Sequence, residues 1–423
     1  MIGFFGSADC DWTAQEFLFT GRLSTAPGME RPQEMAPDQK FTISVYDSLA
    51  SLERLRPEWD ALLAEYPCST TFSTYEWLAS WWRAFSGKDR LLVLAFRDAR
   101  SALVGLAPLA ITTIRSFPAP LRLLLLMGDG SHDSDNLDIP VRPGREKALS
   151  GELLGWMNVN AALWDVCQLN TLPADSLVAS CLLRELQARS WTCLTSTRPQ
   201  TVVELPDTWE SYLKALSAKE RGKVGIRARK LEKKYAVRIR RCSEERELDS
   251  LLGSLCELHG KHWQLRGLPG TLHSPARRRF YGDLARQLLA RKRLEFWVLE
   301  LDEKVVAAQF GLRHGASVFS LQEGFDPEYA SDSVGYVLRS QVLKQLIGEG
   351  VRRYDFLGGT DESKMRWGAA LRNYQNIHFA RPWSRGALHL AARKRVAGTK
   401  AWLRAHLPRT VWTSVKRAAG KDV

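Results

Sequence analysis

The chain has 423 residues and a mass of 47.8 kDa, room for two to four domains with two as the default. Hydrophobic residues make up 45% and charged residues 25%, a globular balance that excludes overall disorder. No run of about 18 uncharged apolar residues offers a transmembrane helix. The formal net charge of +13 is carried by two segments: residues 219–241 net +9 and residues 381–423 net +10, which leaves −6 for the rest. Such segments either meet an anionic partner (nucleic acid, phosphorylated substrate, anionic membrane) or form solvated helix faces.

In chain order, residues 1–39 are read as disordered, with Met29 and Met35 as candidate starts. Met1 to Phe5 is apolar, but no Lys or Arg precedes it, so it is not a secretory signal. The seven cysteines are irregularly spaced and include no C-x-x-C. That predicts reduced thiols and a cytoplasmic location, with neither a disulfide frame nor a metal site.

A first set of elements then follows. It comprises strand 41–45, helices 49–64 and 73–85, a hairpin 91–96/102–111, strand 121–127, helix 146–158, strand 164–170, helix 175–189 and strand 191–196. Ser73-Thr-Tyr-Glu76 has the spacing of a capping box. The same order returns after residue 201. A basic helical arm, 217–234, precedes strand 236–240, helices 244–260 and 275–291, and a hairpin 296–301/305–313. Strand 317–325, helix 334–348, strand 351–357, a short helix near 361–370 and strand 374–380 complete it. The apolar positions Val334, Val337, Leu338, Val342, Leu346 and Ile347 keep the helical period. Two helices, a three-stranded meander, then helix, strand, helix and strand make an α+β order. Its repetition predicts tandem modules at 40–200 and 201–380, followed by a basic amphipathic tail, 381–423.

Several residues could carry chemistry. Ser333-Val334-Gly335 opens helix 334–348, whose unpaired N–H groups suit a pyrophosphate; the plainer reading is a helix cap. Lys364 lies past strand 351–357, where an ammonium can stabilise charge developing on an ester or thioester oxygen. Trp367 either stacks on a ligand or belongs to a core. Glu323 would take a proton if burial raised its pKa, with Asp355, Asp361 and Glu362 as rivals; Gln322 beside it must face the other way. Tyr336 and Tyr354 could protonate a leaving thiolate. His259 and His262, with Trp263 and Arg266, share a helix face, as a substrate-facing patch or as core histidines; no metal-ligand spacing follows. The run Asp129-Gly-Ser-His-Asp133-Ser-Asp135-Asn136-Leu-Asp138 imitates a calcium loop without its Gly and Glu. It reads as a polar turn or as an acidic wall for an amine.

The order of elements resembles the GNAT acyltransferase fold. Gly324-Phe-Asp-Pro-Glu-Tyr329, Ser333-Val-Gly335, Gly350-Val-Arg-Arg-Tyr-Asp355-Phe-Leu-Gly358-Gly359 and Lys364-Met-Arg-Trp367-Gly368 resemble its FemAB-like, CelD-type branch, in which two such modules are fused. The Arg/Gln-x-x-Gly-x-Gly/Ala acyl-CoA fingerprint does not occur, and Ser333-Val-Gly335 replaces the commoner Ser-Pro-Gly. The resemblance implies an N-acyltransferase that uses acyl-CoA as cosubstrate at Ser333, Val334 and Gly335. It implies an amine acceptor on a cell-envelope or exopolysaccharide precursor. Glu323, Lys364 and Tyr336 are then the catalytic candidates, and His262, Trp263, Arg266 and Trp367 the substrate-binding ones. Two alternatives stay open. One is a transferase using aminoacyl-tRNA, with the arm Arg221, Lys223, Arg227, Arg229, Lys230, Lys233 and Lys234 holding phosphates. The other is a non-catalytic polysaccharide-biosynthesis accessory or nucleic-acid binder. The tail would touch an anionic membrane from the cytoplasmic side.

Overall fold

The structure, a computed structural model, describes residues 41–116, 119–265 and 267–406, the last seven as backbone alone. The expected disorder of 1–39, Arg266 and the tail beyond residue 406, with its Pro408, lie outside the described residues.

The first half runs β1 (Thr42–Tyr46), α1 (Leu49–Glu65), α2 (Tyr75–Phe85), β2 (Arg90–Arg97), β3 (Leu103–Ile114) and β4 (Leu121–Leu126). It continues with α3 (Glu146–Val159), β5 (Val166–Pro173), α4 (Leu177–Ala188) and β6 (Thr192–Glu204). The second half runs α5 (Trp209–Ala215), α6 (Ala218–Lys234), β7 (Val237–Arg241), α7 (Glu245–Gln264), α8 (Pro275–Ala290), β8 (Leu294–Leu301) and β9 (Lys304–His314). It ends with β10 (Ser317–Phe325), α9 (Val334–Gly348), β11 (Arg353–Gly358), α10 (Glu362–Met365), β12 (Ala370–Ala380) and α11 (Arg385–His406).

Local chemistry accounts for many helix starts. Ser48, Ser176, Thr208 and Ser217 each offer a hydroxyl oxygen to an otherwise orphan N–H two or three residues on. The capping box expected at Ser73 does not form. Thr74 caps α2 instead, accepting from the Trp77 N–H. Glu76 is fully buried and holds Arg56 and Arg291, each at 2.7 Å.

Among the described residues the twelve strands form one mixed sheet, in the order β1-β2-β3-β4-β5-β12-β6-β11-β10-β9-β8-β7. Adding six to every strand number returns the same order read from the other end, so the two halves are related by a pseudo-twofold axis. The last strand of each half is exchanged. β12 lies between β5 and β6, and β6 between β12 and β11. The division expected at 200/201 therefore falls within β6, which runs unbroken from Thr192 to Glu204 and pairs with both neighbours.

In each half, two neighbouring parallel strands pair briefly and then part. β4 and β5 pair over Leu123–Leu125 and Val166–Gln168, and β10 and β11 over Ser317–Phe319 and Arg353–Asp355. Both later strands then carry a residue with left-handed backbone, Thr171 (φ 55°) and Leu357 (φ 62°), an arrangement that stores strain of about 1–3 kcal/mol. The resulting wedges differ. In the first half, loop 128–138 packs back against β5. Asn170 donates to the Asp129 carbonyl at 3.0 Å, and a Cβ on Gly130 would sit 2.9 Å from that of Asn170. Among the described residues no hydrogen bond ties loop 326–333 to β11 in the second half.

One core runs across both halves on the α2/α8 face, where Phe72 meets Phe319 (5.4 Å) and Trp77 meets Phe280 (5.1 Å) edge-on. A second core lies between α9 and the β8–β11 strands. Gly324 serves packing on the first face: a Cβ there would lie 2.5 Å from the His259 amide nitrogen, so α7 can press on β10 only at a glycine.

Candidate active site

The mouth of the second wedge is the start of α9. Ser333 precedes it in left-handed conformation, φ 59°, and makes no side-chain cap. Asp332 does not cap either; its carboxylate accepts from Lys234 (2.9 Å) and the Tyr235 hydroxyl (3.1 Å). The simple cap reading therefore fails for both residues, and the positive end of α9 keeps N–H groups for an outside acceptor. A Cβ on Gly335 would be 3.5 Å from Phe325, an ordinary contact. Packing does not demand glycine there, and a ligand approaching the backbone supplies a reason for it.

Tyr336 stands one residue further. Its hydroxyl donates to Glu220 at 3.3 Å, its ring lies 4.6 Å from Trp367, and the Arg227 guanidinium covers it at 4.4 Å. Burial pushes its pKa up to about 12. Trp367 is 3% exposed, with its carbonyl accepting from the Tyr212 hydroxyl. It is a core residue, and the expected stacking on a substrate is not available to it.

At the end of β11 the chain turns sharply. The Leu357 N–H donates to Asp355 Oδ1 at 2.8 Å, and Gln200 of β6 donates to Asp355 Oδ2 at 2.6 Å. Gly359 follows with φ 100°. Lys364 Nζ donates back to the carbonyls of Phe356 (3.0 Å) and Gly358. An ammonium has three donors, so this engagement leaves one N–H of Lys364 for the wedge. Burial lowers the Lys364 pKa, opposed by Asp361, Asp135 and Asp355.

Asp135 reaches this turn from the first half. Its Oδ2 lies 3.9 Å from where a Cβ on Gly358 would stand, and Asn136 beside it donates to the Tyr374 oxygen at 3.4 Å. Burial pushes both Asp135 and Asp355 up to about 6; Asp133 adds to the rise at Asp135, against Arg198, and Asp135 adds to the rise at Asp355. Asp355 is 1% exposed, whereas Asp135 keeps part of its surface open, so the push from burial is firmer at Asp355. The other acids of the loop are committed elsewhere. Asp133 accepts from Arg277, Tyr281 (2.8 Å) and Gln322 (3.1 Å) of the second half. Asp138 accepts from Tyr66, Ser176 and the Ile139 N–H.

Glu323 lies on the opposite face. A bulge between Ser320 and Gln322 resets the alternation of β10, so Gln322 turns inward to Asp133 while Glu323 pairs with Arg339 of α9. The Glu323 side chain is 60% exposed, so the burial expected to raise its pKa is missing. Arg339 is itself buried, its guanidinium 4.7 Å from the Phe356 ring centre. Tyr354 is 2% exposed beneath it, and Asp361 and Glu362 are open to solvent. On α7, His259 is a satisfied core histidine, meeting the Glu323 carbonyl and the Thr271 N–H; burial brings its pKa down to about 4. His262 packs 4.8 Å from Phe325, and Trp263 lies beside His259. These two flank the wedge mouth through Phe325 rather than lining the turn at Lys364. Among the described residues no three His, Cys, Asp or Glu side chains converge on a metal position.

The structure thus gathers Lys364, Asp355 and the loop acid Asp135, and adds Gln200 and Tyr374, which carried no local sequence signal. A separate cleft of about 680 Å³ lies between α7 and α8.

Residues 218–365 match the family model of the GNAT acetyltransferase domain. The fold is similar to that of FemX, with a TM-score of 0.56 and 12% identity over 76% of this chain and 95% of that one. A tandem GNAT protein from the clavulanic acid biosynthesis pathway aligns over 80% of this chain and 98% of its own, at TM-score 0.42 and 11% identity. The C-terminal domain of a putative lysylphosphatidylglycerol synthetase from Agrobacterium fabrum aligns over 81% and 95%, at 0.48 and 10%. No curated protein matches the chain. The second half thus carries a match to the GNAT acetyltransferase domain, and the chain as a whole has a fold like that of FemX.

Proposed function

We propose that the protein transfers an acyl group from acyl-CoA to an amine, with the donor in the β10/β11 wedge and Asp135 as the base. The observation that carries this reading is the wedge itself. β10 and β11 part beyond Phe319 and Asp355, at the uncapped start of α9, while the corresponding wedge of the first half is plugged. The pyrophosphate would lie on the Val334 and Gly335 N–H groups, with Arg227 near the mouth.

In the reaction the amine nitrogen attacks the thioester carbon, its proton passes to the Asp135 carboxylate, and the C–S bond breaks with its electron pair going to sulfur. The free N–H of Lys364 is suited to the oxyanion that forms on the way. A thiol ionises near 8.5, so the thiolate leaves without obligatory help, and Tyr336 or solvent supplies its proton. Holding both reactants in one complex supplies much of the rate. The acceptor we favour is an amine on a cell-envelope or exopolysaccharide precursor, on the strength of the resemblance to the CelD-type branch. One feature favours the aminoacyl-tRNA reading: Arg221, Arg229, Lys230 and Lys233 of α6 are exposed beside α9.

Thermal shift and native mass spectrometry test the donor. A rise in melting temperature with acyl-CoA of some chain length is expected, together with co-purified CoA. No shift with any acyl-CoA, with tRNA co-purifying instead, would replace this reading by the tRNA one.

A further inference from the structure

We propose that α11 is a surface-lying helix that docks the protein on an anionic lipid bilayer. The helix begins tied to the body. A Cβ on Gly386 would lie 1.8 Å from the Asp165 carbonyl oxygen, Arg385 reaches the Asp165 carboxylate at 3.1 Å, and Leu390 is fully buried with Leu123, Val166 and Ala380. From Ala391 to Thr399 every residue is exposed, with Arg393 still reaching His378 of β12 at 3.2 Å. Leu388 and Val396 are 74% and 54% exposed, with exposed Ala392 midway between them, and Trp383 just before the helix is wholly exposed. Positions 388, 392 and 396 share one helix face. An apolar row turned to water is the reverse of a helix packed on its own core.

Charge selects the partner. No Asp or Glu occurs from residue 381 to 421, and Arg393 and Arg395 flank the row. The sequence continues with Lys400, Arg404, Arg409, Lys416 and Arg417 among Trp402, Leu403, Leu407, Val411 and Trp412. A nucleic acid would use the cations and leave the apolar row idle, and an apolar protein groove would leave the cations idle. An anionic bilayer surface uses both. α11 packs on β12 and β6 rather than at the wedge, so this inference stands independently of the donor.

The test is sedimentation of the full chain with vesicles of phosphatidylcholine alone or mixed equally with phosphatidylglycerol. Pelleting is expected with the mixed vesicles at low salt and not with the neutral ones. The variants Leu388→Ser/Val396→Ser and Arg395→Gln should lose partitioning, the first roughly tenfold or more and the second about fivefold. The altered residues are exposed, so the melting curves should be unchanged; if one variant melts early, the salt dependence of the wild type decides. No pelleting at low salt, or equal pelleting of wild type and both variants, overturns the proposal. So does gel filtration in which the serine variant dissolves an oligomer of the wild type while vesicle binding is unaffected, which would assign the row to a second copy.

Discussion

Asp135 Oδ2 lies 3.9 Å from where a Cβ on Gly358 would stand, so an acid of the first half sits against the strand end that shapes the second half's wedge. Asp135→Asn should keep the fold and donor binding, because the amide has the shape of the carboxylate it replaces. Turnover should fall by about 10²-fold or more, the scale of a lost general base. Glu323→Gln should change turnover by less than about threefold. Steady-state kinetics on both variants checks this, and the opposite ranking would return the role to Glu323.

The two raised carboxyls set opposite pH trends. An unfolded aspartate ionises near 3.9, whereas burial holds Asp135 and Asp355 near 6, so the native state binds these protons more tightly. Their contribution to stability is full below about pH 4 and is lost as pH rises through about 6. At about 1.4 kcal/mol per pKa unit, each carboxyl shifts stability by roughly 2–3 kcal/mol at most. With Asp135 as the proposed base, turnover should climb over the same interval. Denaturation midpoints of wild type minus Asp355→Asn, from about pH 4 to 7, should show the declining limb. A difference that is flat or rising refutes the raised values.

Lys364→Met removes the donor shared by the Phe356 and Gly358 carbonyls. Leaving half-buried acceptors without a partner costs about 1–3 kcal/mol. The β11 turn should loosen and turnover should fall, with donor affinity changed little. Lys364→Arg can still donate to both carbonyls, so it should restore stability more than turnover. Equal recovery of the two would make Lys364 a positioning residue only.

Two glycines separate packing from binding. Gly324→Ala drives a methyl into the α7 backbone at the His259 amide and should cost at least about 1–3 kcal/mol by overpacking, whatever the ligand. Gly335→Ala should be nearly neutral in stability, since its Cβ meets only Phe325 at an ordinary distance. Gly335→Glu should fold and lose the acyl-CoA thermal shift, because it sets a negative charge against the phosphates. A shift retained in Gly335→Glu would place the donor elsewhere.

Most element boundaries were legible, because burial on one face imposes a period that survives without partners: helix 334–348 and strand 317–325 were expected with the bounds observed. Two kinds of feature were not. Neighbouring candidates of similar chemistry could not be ranked, as when Thr74 rather than Ser73 caps α2. Features made by distant pairing left no local trace. β6 continues past residue 200 because β11 and β12 flank it. Asp135 enters the site because its loop fills one wedge and abuts the other, while a bulge in β10 turns Glu323 away.

The exchange of β6 and β12 has a consequence for synthesis. When residue 200 emerges from the ribosome, β5 still lacks its neighbour, since β12 lies some two hundred residues downstream. Until then the nascent first half carries a bare, largely apolar strand edge, a template for pairing with another chain. Neither half can be severed as a self-sufficient piece. A fragment ending near residue 200 should aggregate on expression, and co-expressing residues 201–423 should rescue its solubility by supplying the missing strand.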